Sequence, residues 1–166
     1  MKTTIITGTP GTGKTTLSKK LAKKLNFYYM DVNKLISKYN LSEGYDKKRK
    51  TKIIDIKKLN KCISKEINLI KKLKFKEYNG IIIDSHLSHY IPKKYVDLCI
   101  VARCDIKELN KRLKKKGFHQ PKIKENLQAE IFEICYNEAK RKKHEIISVD
   151  TSKGFNINDL IRKIGD

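Results

Sequence analysis

Apolar residues recur along this chain in two alternating rhythms. Thr3-Thr4-Ile5-Ile6-Thr7 is a short β-branched run, and Lys14 to Leu25 then sets Leu17, Leu21, Ala22 and Leu25 at helical spacing. Phe27-Tyr28-Tyr29-Met30 predicts a second strand, after which Asp31 is placed to cap a helix running to about Tyr39. From Asn40 to Lys52 the chain is polar and charged, with Gly44 inside it, so an excursion away from the core is expected there. Helical spacing returns over Asp55 to Leu73 through Ile56, Leu59, Ile63, Ile67 and Ile70. Ile81-Ile82-Ile83 runs straight into Asp84, and such an unbroken apolar triplet suits a strand covered on both faces. Val96 to Ala102 is a strand of the same kind, ending at Arg103. Ile106 to Lys116 is helical until Gly117, and Ile123 to Lys142 reads as one long helix. Ile146-Ile147-Ser148-Val149 is the last strand, and Asn156 to Ile164 the last helix, capped by Asn156.

Five strands with helices between them predict an α/β fold, a parallel sheet with helices on both faces and right-handed crossovers. No repeat and no Pro/Gly/Ser-rich linker divides the chain, so residues 1–166 are expected to form a single domain. No apolar run approaches the roughly 20 residues that span a membrane. The first residues lead directly into a strand and a glycine loop, which predicts no signal peptide and a cytoplasmic location. The cysteines (Cys62, Cys99, Cys104 and Cys135) form no C-x-x-C pair, and free thiols in a reducing compartment are expected rather than metal ligands or disulfides.

One motif decides the chemistry. Gly8-Thr9-Pro10-Gly11-Thr12-Gly13-Lys14-Thr15 fits G-x-x-x-x-G-K-[ST] at every fixed position, after a strand and before a helix. Glycines let successive N–H groups turn inward, and with the positive end of the helix they form a nest for phosphate oxygens. Lys14 is expected to reach the β- and γ-phosphates, Thr15 to ligate Mg²⁺, and Thr16 to add a contact near the α-phosphate. The class is a P-loop NTPase that binds ATP and Mg²⁺. Such a loop needs an acid opposite it, and Asp84 at the end of its apolar strand stands where that acid belongs. His86 follows two residues later, placed to position an attacking water or a phosphate acceptor, whereas His89 reads as loop support. A GTPase would carry an N-K-x-D segment, and Asn33-Lys34 is followed by Leu35-Ile36 instead. The short chain and its polar excursion point to a small-acceptor kinase.

Charge adds a second theme. Lys and Arg number 39 against 18 Asp and Glu, a formal net charge of +21. Anionic partners such as phosphates or RNA follow from that excess. Part of it is a matter of composition, because Lys, Ile and Asn all have AT-rich codons. Lys47-Lys48-Arg49-Lys50, Lys114-Lys115-Lys116 and Lys140-Arg141-Lys142-Lys143 are its densest clusters.

The ordered set of motifs resembles the adenylate kinase isoenzyme 6 (CINAP) family, including its archaeal counterparts. Ile6 to Thr16 is similar to that family's phosphate loop, Gly44-Tyr45-Asp46 to its G-Y-D element, and Asp84-Ser85-His86 to its D-x-H. Val101-Ala102-Arg103-Cys104-Asp105, Arg112-Leu113, Gly117-Phe118 and Glu125-Asn126-Leu127-Gln128-Ala129-Glu130 continue the series, so the resemblance runs from about Thr3 to Ile164. It implies a nucleoside monophosphate kinase of broad specificity, ATP + AMP giving two ADP, that also hydrolyses ATP. It implies work in late maturation of the small ribosomal subunit, with ribosomal protein uS11 and pre-small-subunit rRNA as partners. The alternative is an ATPase assembly factor with weak kinase activity. A small-metabolite kinase of shikimate kinase type shares only the phosphate loop.

Residue by residue, the resemblance makes Gly11, Gly13, Lys14, Thr15 and Thr16 the ATP cradle and Asp84 with His86 the pair at magnesium and water. It also implies an acceptor-binding segment of about 31–54 and a short lid of about 115–125. Lys116 stands where the family has a lid arginine, and Arg112, four residues earlier on the same helix face, supplies a planar guanidinium for the nucleotide. Ser37 stands where the family has an arginine for the monophosphate, which leaves Lys34 or Lys38 as point charges in its place.

Overall fold

The structure is a computed structural model and describes residues 1–73 and 77–165. Strands β1 (Lys2–Thr7), β2 (Phe27–Asp31), β5 (Gly80–Asp84), β6 (Leu98–Arg103) and β7 (Ile146–Asp150) form one sheet in the order β2-β5-β1-β6-β7. Every pairing in it is parallel. Strands β3 (Ser42–Asp46) and β4 (Thr51–Ile54) form a separate antiparallel hairpin. The α-helices of the described residues are α1 (Lys14–Leu25), α2 (Val32–Lys38), α3 (Ile56–Lys72), α4 (Ile106–Lys115), α5 (Gln120–Ile131), α6 (Ile134–Arg141) and α7 (Ile157–Gly165).

The apolar triplet shows why the sheet is covered on both sides. Successive side chains of a strand point to opposite faces. Ile81 and Ile83 join one core layer with Ile5, Val101 and the apolar stripe of α3 (Leu59, Ile63, Ile67, Ile70). Ile82 joins the opposite layer with Ile6, Ile100, Leu17 and Leu21 of α1, and Leu160 of α7. All three isoleucines are fully buried, each worth about 2 kcal/mol of apolar transfer. A third cluster holds Leu109 and Leu113 of α4 with Ile123 of α5, and half-buried Phe118 packs against it. Capping follows the sequence: Asp31 accepts from the Asn33 N–H, Asp55 from those of Lys57 and Lys58, and Asn156 from those of Asn158 and Asp159. No described helix is long and apolar enough to cross a membrane.

Two segments differ from the sequence reading. The polar excursion is an ordered hairpin, with Tyr45 opposite Lys52 and Asp46 opposite Thr51. Its turn is held by the Asp46 carboxylate, which accepts from the Arg49 N–H at 2.9 Å. The long helix expected from Ile123 to Lys142 is two helices, because Glu133 adopts a left-handed conformation (φ 53°). Arg103 at the end of β6 binds Glu130 in the last turn of α5 at 2.9 Å and Glu133 at the break itself at 2.5 Å. Those ion pairs turn the chain, so that α6 lays Ala139 into the core layer shared with β5.

Candidate active site

The phosphate loop leaves the carboxyl end of β1, the central strand, which is the edge where open α/β sheets bind ligands. Neighbouring elements hold its shape. A Cβ on Gly8 would stand 2.5 Å from the Ala102 carbonyl oxygen of β6, so the first position admits only glycine. A Cβ on Gly11 would stand 2.9 Å from both Leu109 and Leu113, so α4 packs directly on the loop. Thr12 donates its hydroxyl to the Thr9 carbonyl at 2.8 Å, and Thr151, following β7, donates its own to the Thr12 carbonyl at 2.5 Å. Thr9 donates its hydroxyl to the buried Glu130 carboxylate of α5 at 2.6 Å. That same carboxylate accepts from Arg103 Nε and from the Cys104 N–H at 3.1 Å. Glu130 thereby links α5, β6 and the loop.

Sheet register places the acid. Asp84 pairs with Ile6 across β5 and β1, which sets its carboxylate beside the start of the loop. It is 4% exposed; Tyr29 donates to Oδ2 at 2.8 Å, while Oδ1 is buried and has no partner. An orphaned carboxylate oxygen facing a phosphate loop suits a divalent cation, and Thr15 in the first turn of α1 offers the hydroxyl ligand. The residues present therefore fit Mg²⁺. Burial lowers the pKa of the Lys14 ammonium, and Asp84 opposes that shift. His86 is pushed down to about 4, by burial first and then by Lys14 and Lys122, so its imidazole is neutral at neutral pH. His89 lies behind the loop: its Nδ1 shares a 2.8 Å hydrogen bond with the Thr7 hydroxyl, and its carbonyl accepts from His144 Nε2 at 3.0 Å.

Three chambers meet around these groups. A central one of about 490 Å³ is bordered by Lys14, Thr15, Asp84, His86, Lys116 and Asn126, among others. A donor-side chamber of about 660 Å³ lies along Gly11, Gly13, Thr16, Arg112, Lys116 and Phe155. An acceptor-side chamber of about 520 Å³ lies between α2 and the hairpin, with apolar walls at Ile36, Ile54 and Leu87 and polar groups at Asn33, Ser37, Lys50 and Lys52. The structure thus brings Gly11, Lys14, Thr15, Asp84, His86 and Lys116 to the central chamber, and Gly13, Thr16 and Arg112 to the donor side.

The Arg112 guanidinium lines the donor chamber, its edges held by the Thr151 and Ser152 carbonyls at 2.8 and 3.1 Å and by Glu108 at 2.9 Å. The acceptor-side lysines sit differently from the sequence reading. Lys38 lies 3.8 Å from Glu66 and over the Tyr39 ring, facing α3, and neither it nor Lys34 borders the acceptor chamber. Lys50 and Lys52 of the hairpin supply the cations there. Sequence reasoning also gave no role to Tyr29, which orients Asp84, or to Asn126, whose buried Nδ2 has no partner in the central chamber. No local signal in the sequence marks Tyr29, because its contact with Asp84 depends on the register of β2 against β5. The four cysteines are free thiols, with Cys99 and Cys104 buried and Cys62 and Cys135 half-buried.

The sheet order, the glycine loop, its orphaned acid and the paired chambers define a P-loop domain of the kinase type. The profile of the AAA domain family matches residues 5–133. A relative from Methanocaldococcus jannaschii, whose name assigns it provisionally to the adenylate kinases, is 36% identical over 96% of this chain and 84% of its own. The adenylate kinase isoenzyme 6 homolog of Caenorhabditis elegans is 34% identical over 86% of this chain and 75% of its own. Among solved structures, the YorR protein of Bacillus subtilis in complex with phosphorylated GDP shares the fold, with a TM-score of 0.58 at 18% identity over 98% of this chain and 93% of that one. The chain belongs to the adenylate kinase isoenzyme 6 family and is an enzyme of the nucleoside monophosphate kinase type.

Proposed function

We propose that this enzyme transfers the γ-phosphoryl group of ATP to a nucleoside monophosphate, AMP first among its acceptors, giving two ADP. The observation that carries this reading is the acceptor-side chamber, which opens onto the phosphate-loop chamber at Asn33, Lys50, Thr51 and His86. An ATPase acting on water needs no second chamber of that size. Lys14 and the loop amides hold the donor phosphates, and Thr15 and Asp84 hold Mg²⁺, which supplies positive charge at the transferring group. Neutral His86 has one ring nitrogen to accept a hydrogen bond from an attacking water and one N–H to donate to an oxygen of the acceptor phosphate. Residues 31–54 serve as the acceptor segment and 115–125 as a short lid. Because that lid amounts to a tight turn at Lys116–His119 and the start of α5, it encloses the γ-phosphate less than a long lid would, and slow ATP hydrolysis accompanies transfer.

Turnover with AMP, dAMP, CMP and UMP, measured against acceptor-free phosphate release, tests this reading. The expected result is acceptor turnover well above hydrolysis; equal rates would favour the ATPase reading. His86→Ala is expected to reduce hydrolysis more than AMP phosphorylation.

The cellular setting is also a proposal: late maturation of the small ribosomal subunit in the cytoplasm, with ribosomal protein uS11 and pre-small-subunit rRNA as partners. Its support is the charge. Five cations border the central chamber (Lys14, Arg49, Lys50, Lys116, Lys122), and most of the 39 lie elsewhere. Phosphate attraction of that kind weakens steeply with salt. Capture of uS11 with release on nucleotide exchange tests it, and no capture would refute it.

A further inference from the structure

The acceptor phosphate must lie where the two chambers meet, because its oxygen has to reach the γ-phosphorus. Four residues border both chambers: Asn33, Lys50, Thr51 and His86. Asn33 and Thr51 are uncharged, and of the four only Lys50 carries a fixed positive charge. A monophosphate is a dianion near neutral pH, and charge-assisted donors bind it far better than neutral ones. Lys50 is therefore the one cation at that junction among the described residues.

The backbone around Lys50 is consistent with a position held for that purpose. Lys50 is the last residue of the hairpin turn and adopts a left-handed conformation (φ 49°), which costs a non-glycine residue energy. The turn is fixed by Asp46, and Thr51 then resumes pairing opposite Asp46. The donor side has a counterpart, since Lys116 borders both the donor and central chambers.

We propose that Lys50 holds the monophosphate of the acceptor. This rests on the acceptor reading above and goes beyond it by naming the residue that makes the chamber selective for a phosphorylated nucleoside. It also assigns the hairpin, rather than α2, as the element that closes over the acceptor.

Equilibrium binding of AMP and of adenosine to the full chain, alongside AMP and ATP kinetics, tests the assignment with Lys50→Met, Lys50→Arg and Lys47→Met. Lys47 is an exposed lysine of the same turn that borders neither chamber. Lys50→Met is expected to weaken AMP binding and raise KM for AMP by roughly ten- to a hundredfold. KM for ATP should rise by much less than KM for AMP, because Lys50 borders the acceptor chamber and not the donor one. Adenosine binding should be unchanged in Lys50→Met, AMP binding should largely return in Lys50→Arg, and Lys47→Met should behave as wild type. Wild-type AMP affinity in Lys50→Met, or equal losses in Lys50→Met and Lys47→Met, would overturn the assignment while leaving the acceptor reading intact. Failure of the wild-type protein to bind AMP would overturn both.

Discussion

Glu130 carries a prediction whose size follows from its surroundings. Its carboxylate is 3% exposed and accepts from three donors on three elements: the Thr9 hydroxyl at 2.6 Å, Arg103 Nε at 2.9 Å and the Cys104 N–H at 3.1 Å. Glu130→Ala removes all three acceptor contacts and opens a small void. Breaking a buried ion pair from one side costs about 3–5 kcal/mol. Arg103 keeps Glu133 at 2.5 Å on its more exposed side, which lowers that figure, while the stranded Cys104 N–H adds about 1–3 kcal/mol. The expected loss is about 4 kcal/mol, read as a fall in the urea midpoint at unchanged slope. Glu130→Gln keeps the volume and one acceptor oxygen, so its loss should be near 2 kcal/mol. Because Thr9 belongs to the phosphate loop, both variants should raise KM for ATP more than KM for AMP. A loss below about 1 kcal/mol for Glu130→Ala would refute the linking role, as would equal losses for Ala and Gln.

Other predictions concern the groups around the loop. Burial holds His89 down to about 4, so between pH 6.5 and 4 the unfolded chain binds a proton that the folded chain refuses, and stability falls on acidification. His89→Gln should remove about 2 kcal/mol of the stability lost between pH 7 and 5, measured by urea midpoints at both values; an unchanged difference would refute the assignment. His86 is likewise neutral down to about 4, so the ratio of wild-type to His86→Gln acceptor-free hydrolysis should stay level from about pH 7 to about pH 5, and a ratio that drops around 6.5 would count against it. Gly8→Ala, with its Cβ 2.5 Å from the Ala102 carbonyl, should displace the loop and abolish ATP binding by calorimetry. Asp84→Asn should make nucleotide affinity insensitive to Mg²⁺, and a retained metal dependence would count against its role.

Most of the architecture was legible in the sequence because single residues announce it. The apolar triplet before Asp84 fixed a doubly covered strand, and the loop glycines fixed where the nucleotide binds. Asp31, Asp55 and Asn156 marked helix starts that the structure keeps. What stayed hidden depends on contacts distant in sequence. Nothing local distinguishes Glu133 from a helical glutamate, since its left-handed turn is stabilised by Arg103 some thirty residues away. The hairpin lacks apolar alternation because its strands are mostly exposed, so its residues read as a polar excursion. The acceptor cations were sought near Ser37 in sequence, but helical spacing turns Lys38 toward Glu66, and the hairpin brings Lys50 and Lys52 across instead. Orphaned atoms such as Asp84 Oδ1 and Asn126 Nδ2 become visible only when burial and partners are known together.

The central claim is phosphoryl transfer between two nucleotides held in facing chambers. Incubation with Mg²⁺ and ATP labelled at the γ-phosphate, with and without AMP, tests it most directly. The account predicts that AMP speeds ATP consumption, with the label recovered in the β-phosphate of ADP and only a minor share as free phosphate. Label released as free phosphate at the same rate in both reactions would contradict it.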